Sequence, residues 1–195
     1  MKIYLVRHGE TIFNKRGRVQ GWCDSPLTEL GIRQAKNVGK NMRNIPFEKA
    51  YCSTLERVVD TAEYILAGRD VELEERKEIK EFNFGIYDGD YEKDVFNHRT
   101  HMQGFRDVGG ENMPDVSKRM LAFLEKIGNM YPKGNVLVVS HGGSIMNVMH
   151  ALDHKKVVEQ EKLGNKIENC SVTILNYENG QFRIDDYGNC TFKED

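Results

Sequence analysis

The hydrophobic pattern divides the chain into short apolar strands that alternate with amphipathic helices. Residues 3–7, Ile-Tyr-Leu-Val-Arg, form a β-branched run that predicts a first strand. Thr28 reads as an N-cap, and Leu30, Ala35, Val38 and Met42 then mark one apolar helix face. Residues 49–52 predict a second strand. Ser53 and Glu56 have capping-box spacing, and Leu55, Val58, Ala62 and Ile65 continue at helical intervals. Residues 71–73 suggest a brief third strand, followed by a charged stretch and a loop over 82–89. Val116, Met120, Phe123, Leu124 and Ile127 predict a helix over 115–127. Residues 135–140 contain Val136-Leu137-Val138-Val139, a run expected of a strand covered on both faces. A helix over 144–151 follows. Residues 171–177 and 182–187 flank Asn179-Gly180, a strong hairpin signal.

Strand–helix alternation with a doubly covered central strand specifies an α/β fold with a mostly parallel sheet, closed by an antiparallel hairpin. At 195 residues the expectation is a single domain over 1–195 with room for a sub-lobe. Folding at this size buries roughly 70% of the open chain's surface, enough for a core without disulfide or metal staples. Lys+Arg 28 against Asp+Glu 30 leaves a net charge of −2, which argues against nucleic acid as a partner. No stretch approaches the roughly 18 apolar residues of a membrane span, and no signal segment precedes the first strand. Cys23, Cys52, Cys170 and Cys190 are scattered, as expected of reduced, packed thiols in a cytoplasmic protein.

The chemistry collects at predicted strand ends. His8-Gly9 follows the first strand and His141-Gly142-Gly143 the buried one. Ligands of open α/β sheets bind outside the carboxyl ends of the strands. The glycines allow close backbone approach, and a helix N-terminus after Gly142 favours an anion. A third strand end, Cys52-Ser53 at the close of the second predicted strand, leads to Arg57 in the first turn of the next helix, where the dipole disfavours a cation unless an anion is shared. Singly, each residue reads as a surface ion-pair partner or a hydrogen-bonded strand end. Together, Arg7, His8, Arg57 and His141 suit a tetrahedral dianion.

Leu5-Val6-Arg7-His8-Gly9-Glu10-Thr11, with Asn14 following, resembles the signature of the histidine phosphatase (phosphoglycerate mutase-like) superfamily. The run from Gly17 to Thr28 is similar to the family's next block, and Ser53 to Ala62 to its second arginine motif. Glu81-Phe82-Asn83-Phe84-Gly85-Ile86-Tyr87-Asp88-Gly89 resembles its acid motif, with Tyr87 where tryptophan is common. Ser140-His141-Gly142-Gly143 resembles its second histidine motif. The resemblance runs in order from about residue 2 to residue 151. It implies a three-layer α/β/α sandwich with a small helical cap over about 90–110.

It also implies a mechanism. His8 is the nucleophile that forms a phosphohistidine, one ring nitrogen being held as donor to a backbone carbonyl. Arg7, Arg57 and a protonated His141 bind the phosphoryl oxygens, completed by Asn14, Gly142 and backbone N–H groups at Gln20 and Gly21. Glu81 is the general acid and base, a role worth about 10²–10⁴-fold in rate. Glu72, Glu74, Glu75 and Glu78 precede it as ordinary charged surface, and only the Phe-x-Phe-Gly register distinguishes Glu81.

Tyr91, Phe96, His98, Arg99, His101, Met102, Phe105 and Arg106 are the cap's candidates for selectivity. His98/His101 and His150/His154 have helical metal spacing but no carboxylate set, so no metal and no cofactor is expected. The expected partner is a small phosphorylated metabolite; no oligomeric state is specified. The leading class is a metal-independent phosphomonoester hydrolase. A phosphoglycerate mutase on the same His8 is the alternative, weakened by the lack of the longer insertion of glycolytic mutases. A catalytically silent binding module ranks last, since His8, Glu81 and both arginines are present.

Overall fold

The computed structural model describes residues 1–99 and 103–194, the side chain of His98 excepted. Strands β1 (Lys2–Arg7), β2 (Phe47–Ser53), β3 (Leu73–Arg76), β4 (Asn135–Ser140), β5 (Val172–Glu178) and β6 (Gln181–Asn189) form one sheet, in the order β3-β2-β4-β1-β5-β6. β1 to β4 run parallel, β5 is antiparallel to β1, and β6 is antiparallel to β5. Asn179 and Gly180 join the last two, with φ of 52° and 77°. Both therefore sit in the left-handed region that a two-residue hairpin turn requires. At the centre, β1 pairs with β4 so that Arg7 lies opposite Ser140. The chain consequently leaves both strands at the same edge, and the His8 and His141 rings end 5.4 Å apart.

The helices are α1 (Ile12–Lys15), α2 (Glu29–Asn41), α3 (Glu56–Leu66), α4 (Glu92–His98), α5 (Met113–Met130) and α6 (Gly142–Lys162). Strand alternation decides which of them cover which face. Ile3, Leu5, Val136 and Val138 pack with Met120, Leu124, Ile127, Ile145 and Val148 of α5 and α6. Tyr4, Val6, Leu137 and Val139 pack with Ala35, Val38, Val58, Ala62 and Ile65 of α2 and α3. This is a three-layer α/β/α arrangement around a mostly parallel sheet. A third cluster, Val19, Phe82, Phe84, Val95, Phe105 and Val116, holds α4 and the following segment against the 82–89 loop. Phe84 and Phe105 meet there edge to face at 5.1 Å. Among the described residues no helix is long and apolar enough to cross a membrane. Burial pushes the Cys52 and Cys170 thiols up to about 12.

The elements depart from the sequence pattern in four places. Leu30 is 41% exposed. The buried stripe of α2 is Gly31, Ala35 and Val38, and position 30 lies about 100° from it. Ser53 is the last residue of β2 rather than a cap; α3 starts after Leu55 with no side-chain cap. β3 lies at 73–76 rather than 71–73, because its pairing with β2 (Ala50 with Leu73, Ser53 with Arg76) falls on polar residues at a sheet edge. α6 begins at Gly142 and runs on to Lys162, past a break at Asp153 (φ −155°, ψ 81°).

Candidate active site

His8 emerges from β1 with 3% of its surface exposed. Its Nδ1 lies 2.8 Å from the Gly9 carbonyl, which only accepts, so Nδ1 carries the proton. Nε2 then holds the lone pair and accepts from Arg57 Nε at 3.3 Å. Burial first, and then the charges of Arg57 and Arg7, hold the His8 pKa well below its ordinary 6.5. The imidazole is neutral, and its free pair is on Nε2.

Arg57 is completely buried. Beyond His8, its Nη1 donates to the Cys23 carbonyl and Asp24 Oδ1, both at 2.9 Å. Its Nη2 faces the Gln20 carbonyl at 3.2 Å, the Gly21 carbonyl at 2.8 Å and His141 Nδ1 at 3.0 Å. Because a guanidinium only donates, His141 Nδ1 must accept, and its proton sits on Nε2, which donates to Ser53 Oγ at 2.8 Å. Ser53 is held at the strand end by its pairing with Arg76 of β3, which leaves its hydroxyl to accept that buried bond. Burial, Arg57 and His8 hold the His141 pKa well below 6.5. The protonated His141 expected from sequence therefore requires the charge of a bound dianion.

Above this layer lies a cavity of about 470 Å³ whose lining includes Arg7, His8, Asn14, Gln20, Glu81, Gly142 and Gly143. Arg57, His141 and Gly21 do not line it; Arg57 and His141 brace His8 from beneath. Arg7 Nη1 donates to the Ile167 carbonyl at 2.9 Å, while its buried Nε has no partner among the described residues. A buried guanidinium N–H without an acceptor is costly, and an anion in the cavity would supply one. Asn14 Oδ1 accepts from Thr11 N at 3.2 Å and Asn169 Nδ2 at 3.1 Å, so its amide nitrogen is what it can offer a ligand. Gln20 is held by Thr11 Oγ1 at 2.7 Å and Ser25 Oγ at 3.1 Å.

Glu81 occupies the N-terminus of α6. Its carboxylate accepts from Gly143 N at 2.9 Å, Ser144 N at 2.8 Å and Ser144 Oγ at 2.9 Å, and from Phe82 N at 2.8 Å. The anion that the helix dipole attracts here is thus Glu81 itself. The N–H of Gly21, expected to face the ligand, instead donates to Asp88 Oδ1 at 2.7 Å, and the next two amides go to Asp88 Oδ2. Asp88 stands in for an anion in that backbone nest. Its Asp-Gly dipeptide reads as a turn in the sequence, which conceals the role.

A family model for the histidine phosphatase superfamily (branch 1) matches residues 3–190. The chain belongs to that superfamily. Adenosylcobalamin/alpha-ribazole phosphatase of Salmonella typhimurium is 34% identical over 151 residues, covering 73% of this chain and 75% of that protein. A Yersinia pestis protein named "Probable phosphoglycerate mutase GpmB" is 30% identical over 189 residues, 91% of this chain and 86% of its own. The crystal structure of phosphoglycerate mutase from Bacillus anthracis superposes with a TM-score of 0.86 at 29% identity, covering 99% of this chain and 95% of that one.

In this superfamily member the cavity walls come from two places. Arg18, Val19, Phe84, Glu92 and Phe96 form one, and Met146, Glu161, Lys166, Ile167 and Tyr187 the other. Among the described cap candidates, Phe96 alone lines the cavity. Phe105 is fully buried in the cap cluster. Tyr91 lies under the Arg18 guanidinium at 4.4 Å. Arg99 pairs with Asp107, and Arg106 with Asp115. His101, Met102 and the side chain of His98 fall outside the described residues. The second wall carries no motif in the sequence; the return of α6 and β6 to the strand edge creates it. Among the described residues no group of three or more His, Cys, Asp or Glu is arranged to hold a metal, and the Nδ1 atoms of His150 and His154 bond each other at 3.0 Å.

Proposed function

We propose that this enzyme is a phosphomonoester hydrolase that carries the phosphoryl group on His8, with Glu81 as general acid and then general base. The observation that carries the reading is the tautomer of His8: a neutral ring, locked through Nδ1, with its lone pair on Nε2 at a cavity lined by Arg7 and Glu81. In the first half, Nε2 bonds to phosphorus as the bond to the ester oxygen breaks, and Glu81 protonates that oxygen. Arg7 Nε–H, the Asn14 amide and Gly142 take the non-bridging oxygens. Arg57 Nε–H, freed from Nε2 as its lone pair is used, turns to a phosphoryl oxygen, and His141 follows as the dianion's charge allows it to protonate. In the second half, Glu81 takes a proton from water, which attacks phosphorus and releases His8. Charge neutralisation and alignment supply most of the acceleration in such transfers.

Hydrolysis is favoured over mutase activity by the walls. A phosphoglycerate needs a cation for its carboxylate; the walls offer Lys166, but Glu92 and Glu161 line the same cavity and offset its charge. The Arg18 guanidinium is committed to the Gly89 carbonyl at 2.6 Å and to the Tyr91 ring. Phe84, Phe96, Met146 and Tyr187 suit an organic group of mixed polarity on a small phosphorylated metabolite. On this reading the chain is one domain, with residues 90–110 as the cap.

The test is a panel of phosphate esters assayed without added metal for inorganic phosphate, with 3-phosphoglycerate isomerisation alongside. His8→Ala is expected to abolish both turnover and the acid-labile phosphoenzyme while leaving the fold intact. Near-normal hydrolysis by His8→Ala would overturn the mechanism. Formation of 2-phosphoglycerate without phosphate release would replace hydrolase by mutase.

A further inference from the structure

Glu81 lies in a stretch without regular secondary structure, between a 3₁₀ turn at Lys77–Ile79 and another at Gly85–Tyr87. Its backbone carbonyls have no ladder partners, and a buried carbonyl left unpaired is costly. Ser140 Oγ, Ser144 Oγ and Trp22 Nε1 donate to the carbonyls of Ile79 at 2.8 Å, Lys80 at 2.8 Å and Glu81 at 3.0 Å, and one further side chain, from outside the cavity, spans three carbonyls of the stretch at once. Arg119, on α5, donates from Nη1 to the carbonyls of Glu78 at 2.8 Å and Lys80 at 2.7 Å, and from Nη2 to that of Glu81 at 2.9 Å. The same guanidinium is held in a bidentate pair by Glu111, with Nε to Oε1 at 2.9 Å and Nη2 to Oε2 at 3.0 Å. Glu111 then grips the far side of the acid: its Oε2 accepts from Asn83 N at 3.0 Å, and its own N–H donates to the Asn83 carbonyl at 2.9 Å.

The geometry points to the Glu111–Arg119 pair as the positioning device for the general acid, a clamp that fixes the backbone on both sides of Glu81 and thereby the place of its carboxyl group. This rests on the reading of Glu81 given above. Neither residue lines the cavity; their hydrogen bonds reach the acid through the 78–83 backbone. The planar fork is the reason for arginine. Lysine keeps the charge but offers three donors from one point, which do not reach three carbonyls and a carboxylate together. Arg119 also adds to the positive field that depresses the His141 pKa. Arg119→Lys preserves that charge and removes only the fork, so it separates position from electrostatics.

The experiment compares wild type with Arg119→Lys, Glu111→Gln and Glu81→Gln on p-nitrophenyl phosphate and on an alkyl phosphate, with urea denaturation of each. Nitrophenolate leaves with little protonation, whereas an alkoxide needs the acid. Arg119→Lys is expected to lower kcat on the alkyl phosphate by at least about tenfold more than on p-nitrophenyl phosphate, part of the 10²–10⁴-fold a general acid supplies. KM is expected to change little, and Glu111→Gln should show the same selectivity more weakly. If Glu81→Gln is leaving-group selective but a folded Arg119→Lys loses both activities equally, or neither, the clamp is disproved and the role of Glu81 stands. If Glu81→Gln is itself unselective, the acid assignment falls and the clamp's function falls with it. Should Arg119→Lys fail to fold, Glu111→Gln decides by the same criterion.

Discussion

Arg57 Nε lies 3.3 Å from His8 Nε2, so the cation nearest the reacting nitrogen is also the post on which the site is built. Arg57 meets six acceptors from three stretches of chain at no solvent exposure. Arg57→Lys supplies three donors from a single point and leaves several buried carbonyls unmatched. The expected outcome is a loss of about 3–5 kcal/mol of stability, the scale seen when one partner of a buried charged network is removed. Urea denaturation measures it, and a variant as stable as wild type would show that the buried network is not what holds this region.

The two neutral histidines tie stability to pH with a definite sign. In the unfolded chain each imidazole takes up a proton near 6.5, while burial and the arginines keep His8 and His141 unprotonated well below that in the fold. Below 6.5 the unfolded state therefore binds more protons, and stability is fully present above that pH and lost as the pH falls. Each histidine contributes a slope approaching about 1.4 kcal/mol per pH unit. Urea midpoints between pH 6.5 and 5 are expected to drop, and His141→Asn to flatten the dependence by about one proton. An unchanged slope in that variant would mean that His141 is charged in the native state.

Ser53→Ala separates two readings of one hydroxyl. Were Ser53 a helix cap, its loss would cost about 1 kcal/mol and leave His141 untouched. As the acceptor for His141 Nε2–H, its removal leaves a buried donor unpaired, a cost of about 1–3 kcal/mol. The His141 ring protons then decide by NMR: exchange of the Nε2 proton is expected to accelerate in Ser53→Ala and to stay slow in wild type.

Much of the fold and of the site was legible in the sequence because it rests on local signals. The buried run 136–139, the Asn-Gly turn and the strand-terminal histidines each announce themselves within a few residues. What escaped depends on pairings distant in sequence. Ser53 mimics a capping box, but its partner is 88 residues away. Asp88 sits in a turn dipeptide, and only the fold brings three amides from 21–23 to it. Arg119 is one more charged residue on an amphipathic helix until the carbonyls of 78, 80 and 81 arrive. The wall of Glu161, Lys166 and Tyr187 exists only because α6 and β6 return to the edge where β1 ends. The neutral state of His141 without a ligand depends on such a distant pairing too, since Arg57 of another helix and burial set it.

Two glycine substitutions should pull stability and activity apart. A Cβ at Gly143 would lie 2.9 Å from Glu81 Oε1 and 3.2 Å from Oε2. The carboxylate cannot simply swing aside, since Phe82 N and Ser144 N and Oγ hold it. Alanine is the better helix former by about 1 kcal/mol, which offsets part of the clash, so Gly143→Ala should change stability by less than about 1 kcal/mol. Its displacement of Glu81 by a few tenths of an ångström should still lower kcat on an alkyl phosphate by about tenfold or more, as expected when a general acid is misplaced. Gly68 makes the opposite case. It has φ +76° and nothing within 4 Å of a Cβ, so Gly68→Ala meets only left-handed backbone strain, about 1–2 kcal/mol. That variant should unfold at lower urea with unchanged kcat. If Gly143→Ala keeps full activity on alkyl phosphates, Glu81 does not act from the position this structure gives it.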